Sequence, residues 1–221
     1  MNDHEKSDMA KAMDELHAKL RPFFKQKGFR SRGRAFNRAT SDGLTQVVNL
    51  QMGSFDLPGT TYFPGLRENR YGKFAINLGV YVPEVAKYLG GTTSSFVQEY
   101  QCCVRTRLGR LEPQQSNVWW DIRQDSGFVG ELQERLGQDA LQFFDRFGSR
   151  DAILTKYSSA TEALYVGQPP RMVCAIILAK RGQVAEARAL LAEQAKERRN
   201  PRHPAYVRAL AARLGLGDLE T

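Results

Sequence analysis

Cysteine and histidine are scarce in this chain, with three of each in 221 residues. Two cysteines are vicinal, Cys102 and Cys103, and Cys174 is distant, so neither a disulfide framework nor a zinc-ligand spacing is present. Buried reduced thiols are the ordinary expectation, with a redox role for the vicinal pair as the alternative. His4, His17 and His203 fall in expected terminal or surface helices, away from any carboxylate pair readable in the sequence. That placement argues against a histidine general base. No apolar run is long enough for a membrane span, and residues 1–20, MNDHEKSDMAKAMDELHAKL, are charged throughout and lack a signal-peptide core. A cytoplasmic protein is expected. There is no phosphate-binding Gly-rich loop ending in Lys-Ser or Lys-Thr, no nucleophile elbow, no HExxH and no CxxC. No catalytic residue, metal or cofactor is therefore assigned. Glu99, Glu112, Asp121 and Asp125 flank the later strands, where carboxylates are ordinarily solvated; a catalytic pair among them is the sharper reading.

What the chain does have is positive charge, unevenly placed. The formal net charge is +8. Lys19, Arg21, Lys25, Lys27, Arg30, Arg32, Arg34 and Arg38 follow one another with no acid between them. An acidic partner fits this bias: nucleic acid, an acidic protein surface or a small anion. Much of the block lies in residues 28–51, GFRSRGRAFNRATSDGLTQVVNLQ. Two extended runs, 29–39 and 44–52, flank Thr40-Ser41-Asp42-Gly43, whose Asp and Gly supply tight-turn geometry. On a single straight strand, Arg30, Arg32, Arg34, Phe36 and Arg38 share one parity and the four guanidinium groups project together. Such a face is either a solvated edge or a phosphate-contacting strip.

Elsewhere the pattern predicts an α+β fold, with an antiparallel sheet of about five strands packed against helices. Met9, Met13, Leu16, Leu20, Phe23 and Phe24 recur at helical spacing over residues 7–25, with Ser7 as the start, Gly28 as the stop, and Pro22 expected to kink or end the helix near Arg21. A loop rich in Gly, Pro and aromatics, 53–71, reads as an ordered flap. The third strand is the clearest, with Phe74, Ile76, Leu78, Val80 and Val82 on one face, closed by Pro83. Further strands are expected at 101–111 and 117–124, and a helical stretch from Phe128 to a break at Gly148. From about residue 151 the composition turns to Ala, Leu, Arg and Glu without strand signals. The expected division is therefore an α+β domain, 1–150, and a helical extension, 151–221. AKRGQVAEARALL resembles a single tetratricopeptide-type hairpin with Ala179, Gly182 and Ala187 as small packing residues. One copy is too few for a free-standing solenoid.

If a site exists, the polar sheet face is its place. Asn49 and Gln51 share one parity, Asn77 and Tyr81 another, and Trp119, Asp121 and Arg123 a third. Inward-facing amides need partners, so they imply a hydrogen-bond network, a wet concavity or a ligand, the plainer alternative being the solvent side of the sheet. The vicinal Trp119 and Trp120 point to opposite faces, which makes Trp119 the candidate for stacking on a ligand or partner.

Taken in order, the blocks GFxxxGRxFxR, VVNLQ, FxINLGVY, CxxRxRLGxL and WWxI resemble a bacterial family known only as a domain of unknown function, over roughly residues 10–145. The residues that carry it are Gly28, Phe29, Gly33, Arg34, Phe36, Arg38, Asn49, Gln51, Asn77, Gly79, Arg105, Arg107, Trp119 and Trp120. The resemblance brings no catalytic residue; members are similar in style to small cytoplasmic proteins found near bacterial toxin systems. Three functional expectations follow. The first is a non-enzymatic protein-interaction module, immunity-like or regulatory. The second is a nucleic-acid-binding module, with the basic segment 25–38 on phosphates and Phe36 or Trp119 on bases. The third is an enzyme for a small anionic substrate clamped by Arg34, Arg105 and Arg107.

Overall fold

The computed structural model describes residues 7–53, 70–91, 94–111, 118–157, 168–197 and 200–219. It is an α+β fold. Helix α1 (Asp8–Gln26) starts where Ser7 accepts from the Ala10 amide at 3.3 Å, and stops just before Gly28 at φ +82°. It does not end near Arg21: it runs through Pro22 for another turn. Phe24 explains the continuation, because its ring is buried and stacked on Phe36 at 4.1 Å and edge-on to Phe29 at 5.4 Å. That burial outweighs the hydrogen bond the proline removes.

The first extended run is not one strand. It is a hairpin of β1 (Arg30–Arg32) and β2 (Ala35–Ala39), reversed at Gly33, which adopts φ +56°, and at Arg34. The four arginines therefore do not form one cationic face. The register places Arg30 opposite Asn37 and Arg32 opposite Ala35. Cross-strand partners share a face, so Arg30 and Arg32 stand with Asn37, while Phe36 and Arg38 stand on the other side. Arg34 sits in the turn and reaches back to α1, its Nε 3.0 Å from Asp14 Oδ1 and its Nη2 3.3 Å from the Ala10 carbonyl. Arg38 donates to Gln46 Oε1 at 2.7 Å and to the Lys27 carbonyl at 3.1 Å, over the Phe29 ring. Two of the four cations are thus tied into the fold, and only Arg30 and Arg32 are exposed.

Strand β3 (Thr45–Met52) follows the 40–43 turn, where Gly43 takes φ +73° and its amide donates to the Thr40 carbonyl. Strand β4 (Lys73–Tyr81) is central, paired antiparallel with β3 from Phe74 to Tyr81. Pro83 both closes it and opens α2 (Pro83–Tyr88). On its other side β4 pairs with β5 (Val104–Arg107) and, at its beginning, with β6 (Trp120–Asp121). Both late strands are shorter than expected. β5 is bounded by 3₁₀ turns at Glu99–Gln101 and Leu108–Arg110, which take up the rest of the expected run. The expected flap falls mostly outside the described residues.

The core lies on the face of Phe36, Val48, Leu50, Phe74, Ile76, Leu78, Val80 and Val104, each at most 1% exposed. It is covered by α1, by α3 (Ser126–Arg135) and by α4 (Leu141–Arg146), which are joined through a π turn at Leu136–Ala140. Cys103 and Cys174 belong to the same core, and burial pushes each thiol up to about 12. Cys102 is buried on the opposite face, against Gly79. All three thiols are free.

Beyond them, α5 (Arg150–Tyr157), α6 (Pro170–Lys180), α7 (Val184–Ala195) and α8 (His203–Arg213) continue the buried cluster. The stretch Met172–Ile177 of α6 is buried throughout. Gly182, at φ +79°, makes the α6–α7 turn. Arg150 ties this part to the sheet, since it bonds both oxygens of Glu84 in α2 and also Asp42 in the β2–β3 turn.

His17 is half-buried and packs against the core. It stacks on Phe36 with centroids 4.6 Å apart, and its Nε2 is buried without a hydrogen-bond partner among the described residues. Burial, and then Arg21, hold its pKa below the ordinary 6.5; Asp14 opposes them and Arg34 adds to them. The unfolded chain takes up this proton near 6.5 and the folded one only at lower pH. His17 thus contributes stability above about 6.5, and that contribution is lost as pH falls through the folded value. The urea midpoint is expected to drop between pH 7.5 and 5.5, and to drop less in His17→Phe, which keeps the stack and removes the titration. An equal drop in both proteins would assign the effect elsewhere.

Candidate functional site

The sheet face away from the core is not a plain solvent side. Ala35, Val47, Ala75 and Gly79 on it are buried, and a Cβ at Gly79 would stand 2.6 Å from Cys102 Sγ. The segment around the Glu99–Gln101 turn crosses this face beside Gly79. Asn37 helps to hold it, accepting from the Val97 amide at 2.7 Å and donating back to the Val97 carbonyl at 2.9 Å.

The polar residues read from alternation do meet. Asn49 and Asn77 are directly paired across β3 and β4, and Asn77 is directly paired with Arg107 across β4 and β5. Asn77 Nδ2 lies 2.8 Å from Gln51 Oε1 and 3.4 Å from Asn49 Oδ1. Arg107 Nε donates to Asn77 Oδ1 at 3.1 Å and its Nη2 to Gln51 Oε1 at 3.4 Å. Beside it, Arg105 makes a two-pronged bond to Glu99, with contacts of 2.6 and 3.1 Å. Gln51, Asn77, Glu99, Arg105 and Arg107 line an open cavity of about 300 Å³ together with Thr106 and Arg110.

Electrostatically the cavity is cationic. Burial, then Arg70 and Arg110, lower the pKa of Arg107, and no carboxylate pairs with it among the described residues. For Arg105 burial also works against the charge, but the bond to Glu99 outweighs it and the net direction is upward. Both Arg70 and Arg107 lie over the Trp119 ring, at 4.4 and 5.0 Å from its centroid. Trp119 thus packs against guanidinium groups of this cluster, and its Nε1 is buried with no hydrogen-bond partner among the described residues. Trp120 faces the core and packs on Phe74.

Three expected site residues stand apart. Tyr81 lies at the far end of β4, buried with Val47, Val97 and Cys102, and lines a separate cavity of about 280 Å³ with Arg30 and Asn37. Asp121 pairs with Lys73 at 2.7 Å at the sheet's other end. Arg123 lies past the end of β6; it bonds Asp125, which caps α3, and covers Phe128. Arg34, expected to share an anion clamp with Arg105 and Arg107, is bound to α1 instead. Of the four flanking carboxylates, Glu99, Asp121 and Asp125 are each paired with a cation, and Glu112 lies outside the described residues. Among the described residues no group of His, Cys, Asp and Glu could hold a metal ion, and no helix is long and apolar enough to cross a membrane.

Residues 65–146 match the family model of a domain of unknown function, DUF4304. The match covers β4 to the end of α4, and so includes Asn77, Arg105, Arg107, Arg110 and Trp119. It agrees with the resemblance read from the sequence blocks, over a narrower span. No curated protein and no solved structure matched the chain.

Proposed function

We propose that this protein is a non-enzymatic interaction module that holds a partner protein on the polar face of its sheet, receiving an acidic group of that partner in the arginine-lined cavity. The observation that carries this reading is Arg107. Its guanidinium is oriented by two amide oxygens, sits among other arginines, and has no carboxylate of its own among the described residues. A partly buried, uncompensated cation held in one geometry is costly for a fold to keep and well suited to recognition. The alternative, a nucleic-acid module on the basic segment 25–38, has less support, because Arg34 and Arg38 are engaged within the fold. Arg30 and Arg32 on the edge strand serve equally as protection against edge-to-edge pairing.

Affinity capture with the tagged full chain from its own cells tests the reading. One species at near-equal stoichiometry is expected, and its recovery should fall at least tenfold with Arg107→Ala and stay unchanged with Arg32→Ala. Capture indifferent to Arg107 would reject the site. Salt-sensitive binding to short DNA or RNA, lost with Arg30→Ala and Arg32→Ala, would transfer the function to β1.

A further inference from the structure

The side-chain amide and carboxylate oxygens of the arginine-lined cavity are already engaged. Arg107 can only donate, so the oxygen of each neighbouring amide must face it: Oδ1 of Asn77 and Oε1 of Gln51. Asn77 Nδ2 donates to the same Gln51 oxygen, which fixes that amide a second time. Both oxygens of Glu99 are held by Nε and Nη2 of Arg105. The groups left unused among the described residues are donors: Nη1 of Arg107, Nη1 of Arg105 and the amide nitrogen of Gln51. The Arg110 side chain also lines the cavity.

Such a lining calls for an anion with several acceptor oxygens. A carboxylate offers two oxygens and one charge. A phosphate monoester offers three terminal oxygens and a charge of about −1.5 to −2 near pH 7, and planar guanidinium forks match its geometry. The cavity volume, about 300 Å³, equals roughly ten water molecules at about 30 Å³ each, room for a phosphoryl group and the first atoms of its ester. We propose that the cavity formed by Gln51, Asn77, Arg105, Arg107 and Arg110 is a binding site for a phosphate monoester. The proposal rests on the interaction reading above and names the chemistry of the group received.

The test titrates the full chain with phenyl phosphate and, separately, with benzoate, following the indole N–H signal of Trp119, assigned with Trp119→Phe. Phenyl phosphate is expected to bind saturably and at least tenfold more tightly than benzoate. Arg107→Ala should weaken it at least tenfold, Arg107→Lys by an intermediate factor, and Arg32→Ala not at all. Gln51→Ala, at an exposed position, should weaken it about threefold and serves as the readout if Arg107→Ala does not fold. Phosphoserine and a 5′-mononucleotide then distinguish a modified side chain from a nucleotide as the source of the group. Benzoate binding as tightly as phenyl phosphate, or phenyl phosphate binding untouched by these substitutions, overturns the proposal. Poly-L-glutamate separates the two ideas: its Arg107-dependent binding without phenyl phosphate binding defeats the phosphate assignment and keeps the acidic-partner reading, whereas failure of both removes both.

Discussion

Phe36→Ala is expected to destabilise the protein by about 3–5 kcal/mol, the range for deleting a fully buried phenyl ring. Phe36 is 0% exposed. It stacks on Phe24 of α1 at 4.1 Å and on His17 at 4.6 Å, so one ring joins β2 to two turns of α1. The cavity left behind would be walled by aromatic rings that cannot collapse without shifting the helix, which places the loss toward the upper end of the range. Chemical denaturation followed by tryptophan fluorescence measures it. A loss below about 1 kcal/mol would mean that α1 repacks freely and that the aromatic stack does not anchor it. Phe36→Leu, which keeps most of the volume, should recover more than half of the loss.

The same residue shows what the sequence made legible and what it hid. Phe74, Ile76, Leu78 and Val80 read as one inward face from alternation, and β3 and β4 stand where their periodicity puts them; the same alternation puts Phe36 with the arginines, as a ring for stacking on bases, whereas the structure buries it in the core. The arginines fail the same reasoning because alternation assumes a straight strand. The turn at Gly33 and Arg34 pairs even-numbered residues of β1 with odd-numbered residues of β2, which moves Arg30 and Arg32 to the opposite face without disturbing the pattern in the sequence. A glycine in a strand pattern is a warning of such a reversal, and Gly33 was that signal. Pro22 misleads in the other direction: tertiary burial of Phe24 overrides a local rule.

Part of the site was legible in the same way. Asn49, Gln51 and Asn77 come from alternation, and the cost of burying amides points to a network. Arg107 closes that network through the β4–β5 register, which pairs it with Asn77, and no local pattern contains that register. Arg70 and Arg110 lie outside the strands, so nothing in their own neighbourhoods announces them. Tyr81 shares the parity of Asn77 but stands four residues along β4, about 13 Å away at roughly 3.3 Å per residue. The crossing at Gly79 and Cys102 lies between them. Shared parity placed residues on a face, and only the three-dimensional crossing divided that face into two cavities.

The second large effect is expected at Arg150. Its guanidinium bonds both carboxylate oxygens of Glu84, at 2.5 and 2.9 Å, and also the Asp42 carbonyl, while its backbone amide donates to the Asp42 carboxylate at 2.6 Å. The Arg150 side chain is 20% exposed and that of Glu84 15%. The bond to Glu84 is the largest influence on Arg150 and raises its pKa against the effect of burial. Arg150→Ala leaves the largely enclosed Glu84 carboxylate without its cation, and such orphaning costs about 3–5 kcal/mol when complete. With this residual exposure about 2–3 kcal/mol is expected. Because Arg150 begins α5 and its partners belong to α2 and to the β2–β3 turn, the loss should appear as loosening between the sheet and the later helices. Amide exchange in α5 and α6 should quicken while β3 and β4 remain protected. Removing both charges together, Arg150→Met with Glu84→Leu, should recover at least half of the loss, because the isolated carboxylate and not the missing attraction is the larger cost. A double variant no more stable than Arg150→Ala would show instead that the guanidinium's ion pair with the Asp42 carboxylate, at 3.2 Å, holds the helices, and Asp42→Ala would then reproduce the effect alone.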